Sequence, residues 1–421
     1  MRWKESPRAV LTALLMIHVL AHIDRNMLLG FSPQITGDLA LSNAQYGFLA
    51  GAVWVLSFGV MAVFMGSLAD RFSRTRVMAG GILLWSACTA ASGAAQSFEQ
   101  MVAARFLVAA GEAALVPAAV SLLADLFSAQ RRGSALGVFF MGIPLGIGLS
   151  FLLAGTLGAA QGWRGTFTLM GLIGVAVALP LMLLSDRRHA QGETERGAPF
   201  VAQMRAMLAS LRDSPTVLWT IIGMVLVHVV FAGLSFTQLW LVRERGFDAG
   251  GIARQIGILQ IVFGVLGSVV GGVLSDRLVG RIKGGHAGFM ILLVALCGPL
   301  MIAYRFVSPG SALFYAGMCA GFFLPLAMYG PGLALIQGLT PGRMRSTVTG
   351  FTMLLFNIFA IAIGNVAVGA ISDRLSAAGS GNALTTTLLA TDALVIASAL
   401  FFMLAARGRR VQGAPGVVVA H

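Results

Sequence analysis

Four ionisable residues stand inside stretches that are otherwise apolar: Asp24 and Arg25 in the first such stretch, Arg105 and Glu112 in the fourth. A carboxylate in apolar surroundings has its protonation favoured by desolvation, while a neighbouring guanidinium opposes it. A rearrangement that moved the arginine would therefore switch the carboxyl group's affinity for a proton. That is the chemistry of a proton-exchanging site, or of a site holding an anionic headgroup on its arginines. A static ion-pair lock would use the same residue types. His18 and His22, one helical turn apart in the first stretch, could assist a proton or simply pack.

The elements that must carry these residues are membrane spans. The chain has 421 residues, of which 57% are hydrophobic and 11% charged. That balance leaves too little polar surface for a soluble protein of this size. Apolar stretches of about 20 residues, enough to cross a bilayer, recur along it. Twelve are predicted, near 9–31, 46–69, 77–95, 99–126, 133–158, 163–184, 215–243, 252–276, 286–305, 309–337, 346–375 and 383–405. The expected fold is an all-α membrane protein of two pseudo-symmetric six-helix bundles. The bundles would cover 1–184 and 215–405, with a linker at 185–214 and a tail at 406–421. The second part of the linker, Phe200 to Arg212, could form an amphipathic surface helix or stay unstructured.

Charge placement sets the expected orientation. Of the 29 Lys and Arg, 21 fall in the segments on the side of the termini, six fall opposite, and Arg25 and Arg105 lie within spans. The positive-inside rule then places both termini in the cytoplasm. The net charge of +13 is spread over these short clusters, without the continuous basic face of a nucleic-acid binder. Cys88, Cys297 and Cys319 lie in apolar runs without close pairing, which suggests neither a disulfide framework nor a metal site. The first span is read as retained, since its run continues through Asp24-Arg25 without a clear cleavage site.

A charged residue at a span centre costs roughly 2.5–3.5 kcal/mol, so four in isolation would cost on the order of 10 kcal/mol. They must pair or face a wet cavity. Arg105 precedes Glu112 by seven residues, two turns and about 10 Å along one helix face. Asp24 and Arg25 fall at depths between them. The expectation is an interhelical cluster in which Arg105 approaches Asp24 and Arg25 approaches Glu112. The second half has no counterpart beyond Asp392 near a span end. Its candidates for lining a cavity are His228, Gln238, Tyr329 and Asn357, with Phe231, Phe236, Phe322, Phe323, Phe356 and Phe359 as an apolar wall.

The halves carry a weak repeat. Gly66-Ser-Leu-Ala-Asp70-Arg71 closes the second span and Gly272-Val-Leu-Ser-Asp276-Arg277 the eighth. His18 and His228 fall at comparable places in spans one and seven. Parallel six-span repeats are a transporter architecture, with substrate held near the midplane between them. Asp70 sits at the C-terminal end of its helix, where the dipole disfavours it unless a cation answers. Arg71, Arg74 and Arg131 are the candidates.

These residues carry a family resemblance. Gly66 to Arg76 resembles the loop between spans two and three of the major facilitator superfamily, and Arg105 to Glu112 resembles its fourth-span motif. Within that superfamily the chain is most similar to the Spinster-like group. The residues behind this are His22-Ile-Asp24-Arg25-Asn26, Gly111-Glu112-Ala113, Ala124-Asp125-Leu126-Phe127 with Arg131-Arg132, and Gly142-Ile-Pro144-Leu-Gly146-Ile-Gly148. The resemblance implies a bacterial inner-membrane carrier that couples protons to movement of lysolipids, sphingolipids or related amphiphiles. It implies no cofactor and an expected monomer among membrane lipids. It also gives Gly66, Asp70, Arg71, Arg74 and Arg131 the part of a conformational latch. Carriers of sugar acids and aromatic acids share the Asp-Arg of span one, so small organic anions are the alternative substrates. An intramembrane lipid enzyme is the other class to weigh, but the chain has no G-x-S-x-G or H-E-x-x-H.

Overall fold

The computed structural model describes residues 6–182, 212, 214–341 and 344–411. The expected linker and surface helix, most of 185–214, lie outside the described residues, as does the tail beyond Val411. Among the described residues every regular element is helical. A bilayer offers no water to satisfy backbone N–H and C=O groups, so each apolar run must close its hydrogen bonds internally.

The helices in chain order are α1 (Pro7–Gly30), α2 (Ser32–Asp38), α3 (Asn43–Gly47), α4 (Val53–Arg71), α5 (Arg74–Ala94), α6 (Phe98–Glu112), α7 (Leu115–Leu126), α8 (Ala129–Phe140) and α9 (Gly142–Met182). Then follow α10 (Pro215–His228), α11 (Val230–Arg243), α12 (Ala249–Val269), α13 (Ser275–Leu278), α14 (Gly285–Ala303), α15 (Ala312–Leu339), α16 (Arg345–Leu355), α17 (Gly364–Ala377) and α18 (Ala383–Val411). Wider π-helical turns at Phe48–Ala52, Val270–Leu274 and Phe356–Ile363 join α3 to α4, α12 to α13 and α16 to α17.

Eleven continuous helical stretches among the described residues are long and apolar enough to cross a membrane. One of them, Arg131–Met182, has 52 residues. At 1.5 Å per residue that is about 78 Å of helix against a hydrocarbon core of about 30 Å. It is broken at Gly162, whose φ of +69° favours glycine. Before the break, Gly142 and Gly146 pack on His18 and His22 of α1; after it, Gly171 and Gly174 pack on Ser86 of α5. The sequence expectation draws spans five and six as separate runs at 133–158 and 163–184, and the non-helical backbone at Gly162 falls between them.

The described residues pack as two compact units. The first takes in Met1–Gly192, Ser235–Val262 and Ala362–Thr385; the second takes in Glu193–Leu234, Phe263–Ile361 and Thr386–His421. These do not coincide with the expected halves, because residues 235–262 and 362–385 pack with the N-terminal helices. Small residues allow close helix approach in the first unit: a side chain on Gly81 would strike the Gly111 carbonyl, and one on Gly111 the Gly81 carbonyl. Gly267 and Gly271 do the same against Phe323 and Ala327 in the second.

Candidate functional site

The four intramembrane charges converge in the first unit, with Arg105 against the Asp24 main chain and Arg25 near Glu112. Arg105, almost fully buried, donates from Nη1 to the main-chain oxygen of Asp24 (3.0 Å) and from Nη2 to that of Arg25 (2.7 Å). It therefore ties α6 to the backbone of α1 and does not bond the Asp24 carboxylate. A carbonyl oxygen has two lone pairs and a helix uses one, so a buried guanidinium can take the second without breaking the helix. Asp24 is fully buried and neither carboxyl oxygen has a hydrogen-bond partner. The Trp85 indole lies beside it, short of hydrogen-bond geometry.

Arg25 and Glu112 are linked through a residue that sequence reasoning missed. The Arg25 guanidinium lies over the Trp54 ring, 3.5 Å from its centroid. The Trp54 indole N–H donates to Glu112 Oε2 at 2.8 Å. Glu112 Oε1 is buried without a hydrogen-bond partner. Local backbone places these groups. Trp54 follows the π-helical turn Phe48–Ala52 by two residues, and Glu112 is the last residue of α6, where span four breaks before α7 resumes at Leu115. Wide turns of this kind recur at functional sites because they re-aim the side chains that follow. A tryptophan in an apolar span carries no charge signal, which is why the sequence did not expose it.

The histidines of α1 face span five. His18 Nδ1 lies 2.9 Å from the Phe139 carbonyl, so it must carry the proton and donate. Its ring stacks on Phe139 with centroids 4.2 Å apart, and His22 meets it edge-on at 4.8 Å. In the second unit His228 makes a similar arrangement. Its Nδ1–H donates to the Met224 carbonyl (2.6 Å), its ring stacks on Phe356 at 4.1 Å, and Tyr329 meets it edge-on at 4.6 Å. Its Nε2 is buried without a hydrogen-bond partner. Asn357 bonds within its own helix to the Met353 carbonyl.

Two expected wall residues fall elsewhere. Gln238 lies in the first unit and donates to the Ala249 carbonyl at 3.3 Å. Phe236 is fully buried against Tyr46 at 5.0 Å, so it is a packing residue and not part of an open wall. Arg305, at the end of a span, is buried with Asp392. Nε and Nη2 of Arg305 reach Oδ2 and Oδ1 of Asp392 at 2.9 and 3.4 Å. A fork of donors matched to a carboxylate is how a buried pair stays tolerable.

A second cluster closes the end of the first unit where α1 ends and α3 begins. Asp373, near the end of α17, accepts from the main-chain N–H of Asn43 (3.0 Å) and of Ala44 (2.8 Å). Arg243 donates to Asn43 Oδ1 (2.9 Å) and Thr36 Oγ1 (2.8 Å). The Tyr46 hydroxyl donates to the Ser235 carbonyl at 2.7 Å. A side chain on Gly47 would strike the Asn365 carbonyl, and one on Gly369 the Asn43 carbonyl, so the backbones themselves are in contact. The sequence did carry a signal: Asp373-Arg374 repeats the Asp-Arg pair of Asp70-Arg71 and Asp276-Arg277.

Of the expected latch residues, Gly66, Asp70 and Arg71 lie at the end of α4, and their side chains fall outside the described ones. Arg74 is buried and holds Asp125 Oδ2 at 2.7 Å and Ser121 Oγ at 3.0 Å, tying the loop motif to the end of span four. Arg131 is exposed in the first turn of α8.

Buried, partly unsatisfied ionisable groups inside a helical membrane bundle define a transport-type protein. The model of the Major Facilitator Superfamily matches residues 14–364, and the chain belongs to that superfamily. Within it the chain is Spinster-like. It is 30% identical over 409 residues to an MFS-type efflux pump of Mycolicibacterium smegmatis, covering 96% of this chain and 93% of the pump. It is 28% identical over 374 residues to Protein spinster of Drosophila melanogaster, covering 86% of this chain and 62% of that protein. The crystal structure of a bacterial homolog of the human lysosomal transporter Spinster, inward-facing and unoccupied, shares the fold. Its TM-score is 0.83 at 23% identity, over 99% of this chain and all of that one. The chain is thus an integral membrane transporter.

Proposed function

We propose that this transporter works by alternating access, couples substrate movement to protons, and carries an amphipathic anion or zwitterion such as a lysophospholipid or sphingolipid. The observation that carries the proton part is the state of the two carboxyl groups. Asp24 has no hydrogen-bond partner and Glu112 has one, so neither is locked in the static ion pair that would argue for structure alone. Intramembrane ionisable groups of this kind are functional by default. The lipid part is supported by the likeness to spinster proteins and by asymmetry. The charged cluster lies in the first unit, whereas the His228, Tyr329 and Phe356 cluster of the second is aromatic.

In this reading the chain crosses the membrane twelve times, the 52-residue stretch crossing twice by turning at Gly162. Both termini face the cytoplasm. The contacts of Asp373 and Arg243 then lie on the outer side and close it, while Asp70 latches the cytoplasmic side in the opposite state.

Binding of a fluorescent lysophospholipid to purified protein, beside an aromatic acid and a sugar acid as competitors, tests the substrate class. Saturable lysolipid binding, undisturbed by either acid, is expected. Displacement by the acids without saturable lipid binding would replace the lipid reading with the organic-anion one.

A further inference from the structure

Trp54 occupies a position that neither the charge pattern nor the superfamily match assigns. Three elements meet at its indole: α1 through Arg25, α6 through Glu112, and α4, which carries it. Its N–H is the one hydrogen-bond donor that Glu112 has among the described residues, and the other carboxyl oxygen is buried and unbonded. Its face holds the Arg25 cation at 3.5 Å, well inside the range of a cation–π contact. Phe58, one turn on, stacks on the indole with centroids 4.4 Å apart.

We propose that Trp54 is the positioning residue through which the proton state of Glu112 is relayed to Arg25. The two contacts share one rigid plane. An indole N–H bonds an ionised carboxylate more strongly than a neutral carboxyl group. Protonating Glu112 therefore loosens the one bond that fixes the indole's edge, and a tilt of the ring moves the surface on which Arg25 rests. Arg25 then shifts relative to an anionic group of a substrate, and shifts back when the proton leaves. The other charged neighbours are Asp24 and Arg25 of α1, and Arg105 of α6 itself. Arg105 is anchored to main-chain carbonyls and Asp24 has no hydrogen-bond partner, so neither offers Glu112 a competing hydrogen bond. The proposal rests on the proton-coupled reading above.

The test needs no substrate. Tryptophan emission of the purified full chain is titrated with pH for wild type, Trp54→Phe, Trp54→Leu and Glu112→Gln. Phe keeps an aromatic face for Arg25 and removes only the N–H; Leu removes both. The wild type should show a pH-dependent component that vanishes in Trp54→Phe and in Glu112→Gln alike. In vesicles, with a fluorescent lysophospholipid as probe, Trp54→Phe should displace the pH midpoint of transport by about one pH unit, and it should have no effect on the pH dependence of a Glu112→Gln chain, which lacks that midpoint. Trp54→Leu should also weaken substrate affinity, which Phe preserves. If Glu112→Gln alters the pH dependence and Trp54→Phe does not, the role of Trp54 falls and proton coupling stands. If the wild type has no pH dependence by either readout, both fall.

Discussion

The carboxylate of Asp373 receives the main-chain N–H of Asn43, 330 positions earlier in the chain, and of the next residue, Ala44. It sits where a helix N-terminus leaves its first donors unpaired and its dipole is positive, so charge and hydrogen bonding act together. Asp373 lies near the C-terminal end of its own helix, where a carboxylate is disfavoured unless something else answers it.

Removing the cap should open the outer end. In a chain whose three cysteines are replaced and Ser235 is changed to Cys, Asp373→Ala should raise the rate of labelling by an impermeant maleimide added outside. Two charge-assisted bonds are lost, so an increase of about tenfold or more is expected. An unchanged rate would mean that Asp373 does not hold the closure.

Asp24 and Arg105 should behave oppositely under substitution. No hydrogen bond to the Asp24 carboxyl is lost in Asp24→Asn, and a buried ionisable group is removed, so thermal stability should hold or rise. Arg105→Lys cannot span both carbonyls from one ammonium and should lower stability by about 1–3 kcal/mol. Thermal unfolding in detergent checks both. Equal losses would indicate that Asp24 and Arg105 form a lock after all.

The buried pair of Arg305 and Asp392 predicts a different signature. Asp392→Ala leaves a guanidinium without its carboxylate and should destabilise the protein by about 3–5 kcal/mol. Replacing both by apolar residues of similar size should recover most of that loss. If the double substitution is as unstable as the single one, the pair contributes more than mutual neutralisation.

Much of this was legible in the sequence. Apolar run length exposes the spans because a bilayer tolerates few alternatives, and the cost of intramembrane charge exposes Asp24, Arg25, Arg105 and Glu112 as one cluster. What the sequence cannot convey is which atoms answer those charges. Arg105 chose main-chain carbonyls, and Arg25 and Glu112 chose the two sides of Trp54; neither a carbonyl nor an indole stands out in a charge pattern. A basic residue at a span end, such as Arg305, likewise looks like a loop charge until its buried partner Asp392 is located. Phe236 packs against Tyr46, a neighbour that only distant segments of the chain bring together, and Gln238 turns to the Ala249 carbonyl, so neither place could be read from local sequence.

Proton coupling is the centre of the account, and proton flux is its most direct readout. Vesicles containing the protein and a trapped pH-sensitive dye are given a gradient of the bound substrate, at equal pH on both sides. Wild type should move the internal pH as substrate moves, and Glu112→Gln should carry substrate without moving it. A substrate flux in wild type that leaves the internal pH unchanged would contradict the account and make the buried carboxyl groups structural.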